Sequence, residues 1–237
     1  MLCTDIPVHV DGWRLIMIDY KKLEAVIWDM DGVILDSRLA HFKAFRIIFE
    51  KYEIKVYQEQ SQKFFGMTNQ QIIQFMVDQP ISKELTDRIS REKDILFQNI
   101  IRDQAVFLPG VKKWMEAFKQ NEIRQAIASS GSQGNINAIL TALNAETYFD
   151  KVVSGDGLPG KPDPFVFLKA ADRLGKLPVN CLVIEDAVVG VQAAKAAGMK
   201  CAAVTTTNPA EKLADADVVL SNLSELTVDH IQMLFSA

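Results

Sequence analysis

The chain has 237 residues, 49% of them hydrophobic and 24% charged, with a formal net charge of −4. That length and apolar fraction allow one large packed domain or two modest ones, and the acidic balance argues against a general nucleic-acid-binding surface. No apolar run approaches a membrane-spanning length. Cys3, Cys181 and Cys201 are an odd, scattered set, and the last two each open an apolar run, so reduced core cysteines are expected. Residues 15–18 are apolar but too short for a signal sequence, with Asp11 and Asp19 on either side, so a soluble, cytoplasmic protein is the expectation. A monomer is the default where the sequence does not fix the oligomeric state.

The first twenty or so residues precede the first clear strand and read as an added edge strand or as an upstream extension with Met17 as a start. Residues 25–28 then form a short apolar strand that runs into Asp29-Met30-Asp31-Gly32, after which Val33-Ile34-Leu35 resumes apolar. Between residues 36 and 106 no strand signal appears, while 41–52, 69–77 and 82–101 carry helical periodicity. From residue 108 the signals alternate. Helix 111–120, strand 124–129, helix 132–143 and strand 151–153 come first. Helix 163–174, with Asp163 as N-cap and Pro164 at the first helical position, leads to strand 181–184. Helix 188–197 closed by Gly198, strands 201–204 and 218–220 and a helix from residue 228 complete the chain. Such alternation predicts an α/β parallel sheet with helices on both faces, joined by right-handed crossovers. Residues 1–36 and 107–237 form this core, and residues 37–106 are a helical insertion.

Four short motifs fall at the ends of successive predicted strands. Asp29 and Asp31 alternate on one face of an extended chain, so both can address one centre. Strand ends are where ligands bind in open α/β sheets. A buried carboxylate pair asks for a cation or a proton. The structural alternative is a solvated Asp-Gly turn, and a calcium loop fails because Ile34 and Leu35 stand where oxygen ligands are needed. Ser129-Ser130-Gly131-Ser132 ends a strand and opens a helix, whose free N–H groups suit a phosphate, or simply receive a cap. Lys161, between Gly160 and Pro162, offers a fixed countercharge for phosphate, with an ordinary solvent-facing lysine as the alternative. Glu185-Asp186 repeats the acid-capped strand and suits a hard cation such as Mg²⁺, with helix capping by Asp186 as the alternative.

Taken in this order, the motifs resemble those of the haloacid dehalogenase superfamily, from Ala25 to the C-terminus. Gly160-Lys161-Pro162-Asp163-Pro164 and Ile184-Glu185-Asp186-Ala187-x-x-Gly190 are similar to the branch with an α-helical cap, which holds β-phosphoglucomutase and small-metabolite phosphatases. The resemblance implies a Rossmann-like core with residues 37–106 as cap. It implies Asp29 as nucleophile forming an aspartyl-phosphate, and Asp31 as general acid/base. Ser129, with Ser130 beside it, and Lys161 would hold the phosphoryl group. Asp29, the Asp31 carbonyl and Asp186 would bind Mg²⁺, with Glu185 joining or orienting that shell. An acid at position 31 points to phosphate esters, since the dehalogenases of the superfamily lack it.

In the insertion, His41 and Ser37 match mutase residues, and Phe65-Gly66-Met67-Thr68-Asn69 matches its substrate loop. Phe65 and Asn69 stand where the mutase carries basic residues for a second phosphate, which favours a phosphatase. Lys63, Arg91 and Lys93 could compensate, but surface solvation is the expected role of each. Phe64, Phe65, Phe75 and Met76 are expected in the core of the insertion. The reading is thus a Mg²⁺-dependent phosphatase acting on a small phosphorylated metabolite, a sugar phosphate. A mutase-type phosphotransferase and a catalytically silent binding protein are the alternatives.

Overall fold

Ala25–Trp28 forms strand β1, every residue of it buried, because helices cover both faces of the sheet it centres. The structure, a computed structural model, describes residues 22–55, 67–77 and 79–236. The readings for the segment before residue 22 and for Lys63, Phe64, Phe65 and Gly66 lie outside these residues. β2 (Arg124–Ser129), β3 (Lys151–Ser154), β4 (Cys181–Glu185), β5 (Lys200–Val204) and β6 (Val218–Leu220) complete a six-stranded sheet in the order β3-β2-β1-β4-β5-β6. All five pairings are parallel. The strand order reverses between β1 and β4, and such a switch point opens a crevice at the carboxyl ends of the strands.

The two faces of the sheet follow from alternation along each strand. Val26 and Trp28 of β1, with Leu182 and Ile184 of β4, join one core, packed against α4 (Val111–Gln120), α5 (Gln133–Leu143) and α8 (Val228–Phe235). Ala25 and Ile27, with Cys181 and Val183, face α6 (Phe165–Leu174) and α7 (Val188–Ala196). Cys181 and Cys201 are free, buried thiols. α6 begins at Phe165 with Pro164 as its N-cap; Asp163 Oδ1 instead accepts the Phe165 N–H at 2.9 Å, one turn residue earlier than the sequence pattern suggests.

The insertion contributes α1 (Arg38–Lys51), α2 (Asn69–Met76) and α3 (Lys83–Ile101). They share their own apolar core of Phe45, Ile48, Phe49, Ile72, Ile73, Met76 and Ile89. Thr68 starts α2 through a capping box with Gln71, and Ser82 caps α3. Phe75 departs from the expected core position: it is 45% exposed, while Met76 is buried, because Ile72, Ile73 and Met76 already fill the inward stripe of so short a helix. No helix among the described residues is long and apolar enough to cross a membrane.

Phe118 ties α4 to the sheet, with its ring 6.1 Å from Trp28 and 5.3 Å from Trp114. Phe118→Ala is expected to lower stability by about 3–5 kcal/mol through the lost contacts and the cavity left behind. Urea unfolding followed by tryptophan fluorescence measures it.

Candidate active site

Strands β1 and β4, side by side at the switch point, each end in acid. Asp29 follows β1 and its N–H donates to Ile184 O at 2.9 Å, so the last rung of the ladder fixes where its carboxylate begins. Lys161 reaches in from the loop before α6, donating to Asp29 Oδ1 at 2.6 Å and to Glu185 Oε1 at 2.5 Å. Its ammonium also lies 4.7 Å from the centre of the Phe167 ring. Glu185 Oε2 accepts the backbone N–H groups of Asp186 and Ala187 at 2.6 and 2.7 Å. Both Glu185 oxygens are therefore occupied, one by Lys161 and one by main chain. α7 starts from Ala187 with no side-chain cap, so Asp186 is not spent on helix capping.

Two glycines make this crowding possible. A Cβ on Gly32, which has φ +88°, would lie 1.9 Å from Asp186 Oδ2. A Cβ on Gly190 would lie 1.8 Å from Glu185 Oε1. Any side chain at either position would push an acid out of place.

Asp29, Glu185 and Asp186 bring carboxylate oxygens within 4.8 Å of one another. Burial, only partly offset by Lys161, pushes the Asp29 carboxyl up to about 8, with Glu185 and Asp31 adding to the rise. Burial also drives Asp186 well above the ordinary carboxylate range, with Glu185 and Asp29 contributing. Lys161 moves the other way from a simple buried lysine: burial opposes its charge, but Asp29 and Glu185 outweigh burial and hold it above its ordinary value.

Asp31 is turned toward the insertion. Ser37 Oγ donates to Asp31 Oδ1, and His41 Nε2 lies 3.4 Å from the same oxygen. Burial raises its carboxyl, but the bonds from His41 and Ser37 and the charge of Lys93 prevail and leave it below the usual range. Lys93 is fully buried, contrary to the solvated role expected of it. Its Nζ sits 2.8 Å from His41 Nδ1 and donates to Asn69 Oδ1 at 3.1 Å, while the aromatic rings of Phe45 and Phe97 flank it at 4.7 and 5.1 Å. Asn69 Nδ2 in turn donates to Asp94 Oδ1 at 2.8 Å. Asn69 thus faces Lys93 and Asp94, and Thr68 is occupied in capping α2.

Ser129 ends β2, and its Oγ accepts the Gly131 N–H at 3.0 Å; Ser132 caps α5. Ser130 lines a cleft against the insertion. Thr207 and Asn208, which lie past β5, also reach the site and carry no signal in the sequence. Thr207 Oγ1 approaches Asp186 Oδ2 at 2.5 Å, and Asn208 Nδ2 donates to Thr207 Oγ1 at 3.1 Å. The amide fills a lone pair of the hydroxyl and so aims its proton at the carboxylate. Hydroxyl and amide residues in a loop carry no periodic pattern that would single them out.

The profile of haloacid dehalogenase-like hydrolases matches residues 26–204, a span that runs from β1 through β5 and takes in every motif above. The chain belongs to this family. It is 32% identical over 183 residues to a phosphorylated carbohydrates phosphatase of Thermotoga maritima, covering 75% of this chain and 83% of that one. It is 30% identical over 217 residues to the β-phosphoglucomutase of Bacillus subtilis, covering 87% and 93%. The crystal structure of β-phosphoglucomutase from Clostridium difficile superposes with a TM-score of 0.82 at 28% identity, covering 90% of this chain and 97% of that one. This haloacid dehalogenase-like hydrolase is accordingly an enzyme of the phosphatase and phosphotransferase kind.

The acid cluster of this haloacid dehalogenase-like hydrolase fits a hard divalent cation. Its donors are carboxylate oxygens. Three buried acids face one ammonium, and the surplus negative charge is what burial penalises at Asp29 and Asp186.

Removing Lys161 leaves Asp29 and Glu185 buried without a countercharge. Lys161→Met is expected to destabilise the metal-free protein by about 3–5 kcal/mol near neutral pH. The loss shrinks as pH falls, because the raised Asp29 carboxyl then takes up a proton. Chemical denaturation in chelator at about pH 5 and about pH 8 measures both effects.

Proposed function

We propose that the protein is a Mg²⁺-dependent phosphatase that hydrolyses a sugar monophosphate through an aspartyl-phosphate on Asp29. The observation that carries this reading is the convergence of Asp29, Lys161, Glu185 and Asp186 at the switch point, with Ser129 at the neighbouring strand end. The names of the relatives, a phosphorylated carbohydrates phosphatase among them, support the substrate class.

Asp29 and Asp186, with the Asp31 main-chain carbonyl, would hold Mg²⁺; when bound it neutralises the acids and the phosphoryl oxygens. Glu185 orients Lys161, since both its oxygens are already engaged. Lys161 and Ser129 hold the transferring phosphoryl group. Asp29 Oδ1 is fixed by Lys161, which leaves Oδ2 to attack phosphorus as the bond to the ester oxygen breaks. Asp31 gives its proton to that leaving oxygen. It then takes a proton from the water that attacks phosphorus, the bond to Asp29 breaks, and inorganic phosphate leaves. In the free protein Asp31 is a carboxylate held by His41 and Ser37. The negative phosphate bound beside it raises its proton affinity, so it takes up from solvent the proton that it then gives to the leaving oxygen. Residues 37–106 act as the cap, carrying His41 to Asp31 and covering the site during transfer.

A phosphotransferase of the β-phosphoglucomutase type is the second reading, favoured by the two mutases to which the chain is similar. ³¹P NMR of the protein with Mg²⁺, a panel of hexose monophosphates and a trace of glucose 1,6-bisphosphate separates the two. Inorganic phosphate is the expected product; an isomeric hexose phosphate without phosphate release overturns the phosphatase. Asp29→Asn is expected to keep the fold, by circular dichroism, and to retain less than about a thousandth of turnover. Near-normal turnover would falsify the assignment of Asp29.

The raised Asp29 carboxyl sets the sign of a pH effect. The unfolded chain releases this proton near 3.8 and the folded, metal-free chain near 8, so the folded state holds more protons between those values. Stability of the metal-free protein then falls as pH rises through that window. Mg²⁺ competes with the same proton, so its stabilising shift in Tm should be larger at about pH 8.5 than at about pH 6. Thermal melts with Mg²⁺ and with chelator at both values check it, and equal shifts would count against cation binding at Asp29.

A further inference from the structure

Helix α3 turns a polar face to a cleft of about 840 Å³. Lys83, Asp87, Ser90 and Asp94 recur along it at helical spacing, and residues 130–132 and 155–158 form the opposite wall. The cleft reaches the reaction centre at Gly131, where a Cβ would lie 3.2 Å from Ser129 Oγ and 4.0 Å from Asp31 Oδ2. The non-reacting part of a phosphate ester held at Asp29 would have room between these walls.

Ser90 is 6% exposed, and among the described residues its Oγ is a buried side-chain atom with no hydrogen-bond partner. A buried hydroxyl left unpaired is costly, and an orphan of this kind in a cleft wall asks for a ligand that completes it. One helical turn on, Asp94 Oδ1 accepts from Asn69 Nδ2 at 2.8 Å and Asn135 Nδ2 at 2.7 Å, with Lys93 Nζ at 3.3 Å. Those contacts hold the carboxylate at the junction of α2, α3 and α5. Burial raises the Asp94 carboxyl, but Lys93 and the bonds from Ser132, Asn69 and Asn135 outweigh burial and keep it ionised. Lys83 is bound to Asp87 Oδ2 at 2.7 Å. Along the walls, the acids Asp87, Asp94 and Asp156 outnumber the cations Lys83 and Arg91.

We propose that Ser90 and Asp94 are specificity-determining residues that bind hydroxyls on the non-reacting part of a phosphorylated polyol and turn away a second phosphate. This assignment rests on the phosphatase reading and narrows its substrate to monophosphates with a neutral, hydroxylated distal end. A hydroxyl can donate to the Asp94 carboxylate and accept from Ser90, whereas a phosphate dianion meets an ionised acid.

The test compares kcat/KM for hexose monophosphates, hexose bisphosphates and an aryl phosphate, all with Mg²⁺. Wild type should favour monophosphates over bisphosphates. Ser90→Ala should lower the ratio of kcat/KM on the preferred monophosphate to that on the aryl phosphate by about tenfold, through a raised KM. Its Tm should stay at or above that of wild type, because the change removes an unpaired hydroxyl. Asp94→Asn should shift the preference toward bisphosphates by about tenfold. An unchanged ratio in Ser90→Ala overturns the assignment, as does a fall in Tm with equal loss on both substrates. A wild type that prefers bisphosphates, or an Asp94→Asn variant with unaltered preference, overturns the charge exclusion. If wild type releases phosphate from none of these esters, the phosphatase reading fails and takes this assignment with it.

Discussion

The arrangement on which the rest depends is the sharing of Lys161 between Asp29 and Glu185 in a buried pocket at the β1–β4 boundary. Carboxylates so enclosed are tolerable only when neutralised. One ammonium serves two of the three acids, and Asp186 is left with a hydroxyl, Thr207 Oγ1, as its partner. The remaining negative charge makes the pocket hostile to a phosphate until a cation or protons offset it. Cation binding and acceptance of an anionic substrate are thereby linked through the same electrostatic deficit, and Lys161 decides how large that deficit is.

The sheet explains why the deficit can be maintained. Parallel strands with helices on both faces exclude water from β1 and β4, so the acids at their ends inherit a low-dielectric floor. The strand order places those two ends next to each other, with no loop geometry required to bring Asp29 to Glu185. Gly32 and Gly190 then let a turn and a helix close directly onto Asp186 and Glu185. A fold of this kind offers the crevice in any case; the acids, the lysine and the two glycines convert it into a site.

Strand ends were legible because their signal is local. An apolar run stopped by Asp29 or Glu185 is readable in one dimension, and the alternation of strand and helix from residue 111 onward predicts both the parallel pairing and the helices on either face. Element boundaries matched to within a few residues for the same reason. Side-chain partnership across the insertion was not legible. Lys93 looks like any charged residue on an amphipathic helix, yet it is buried because Phe45 and Phe97 flank its ammonium and His41 receives it, and those residues lie 48, 4 and 52 positions away. Phe75 failed in the opposite direction, since a short helix needs only one apolar stripe. Ser90, Thr207 and Asn208 are silent in a sequence, because one hydroxyl or amide carries no periodicity.

Lys93 also orders the protons around Asp31. With Lys93 charged, which burial opposes and Asp94 favours, its 2.8 Å contact makes His41 Nδ1 the acceptor and places the ring proton on Nε2, facing Asp31. Burial and the charge of Lys93 lower the proton affinity of His41, which keeps the ring neutral and the polarity of the chain from Lys93 through His41 to Asp31 fixed. The ring is stacked on Phe97 at 3.9 Å, so it has little freedom to turn over. Lys93 and Phe97 both belong to α3, the helix that carries Ser90 and Asp94 along the cleft. Ser37 and His41, which donate to Asp31, stand at the start of α1, so α3 acts on Asp31 through the charge of Lys93. Ser90 and Asp94 on the cleft side and Lys93 on the Asp31 side thus share one helix, and the charge of Lys93 is what that helix contributes to holding Asp31 as a carboxylate.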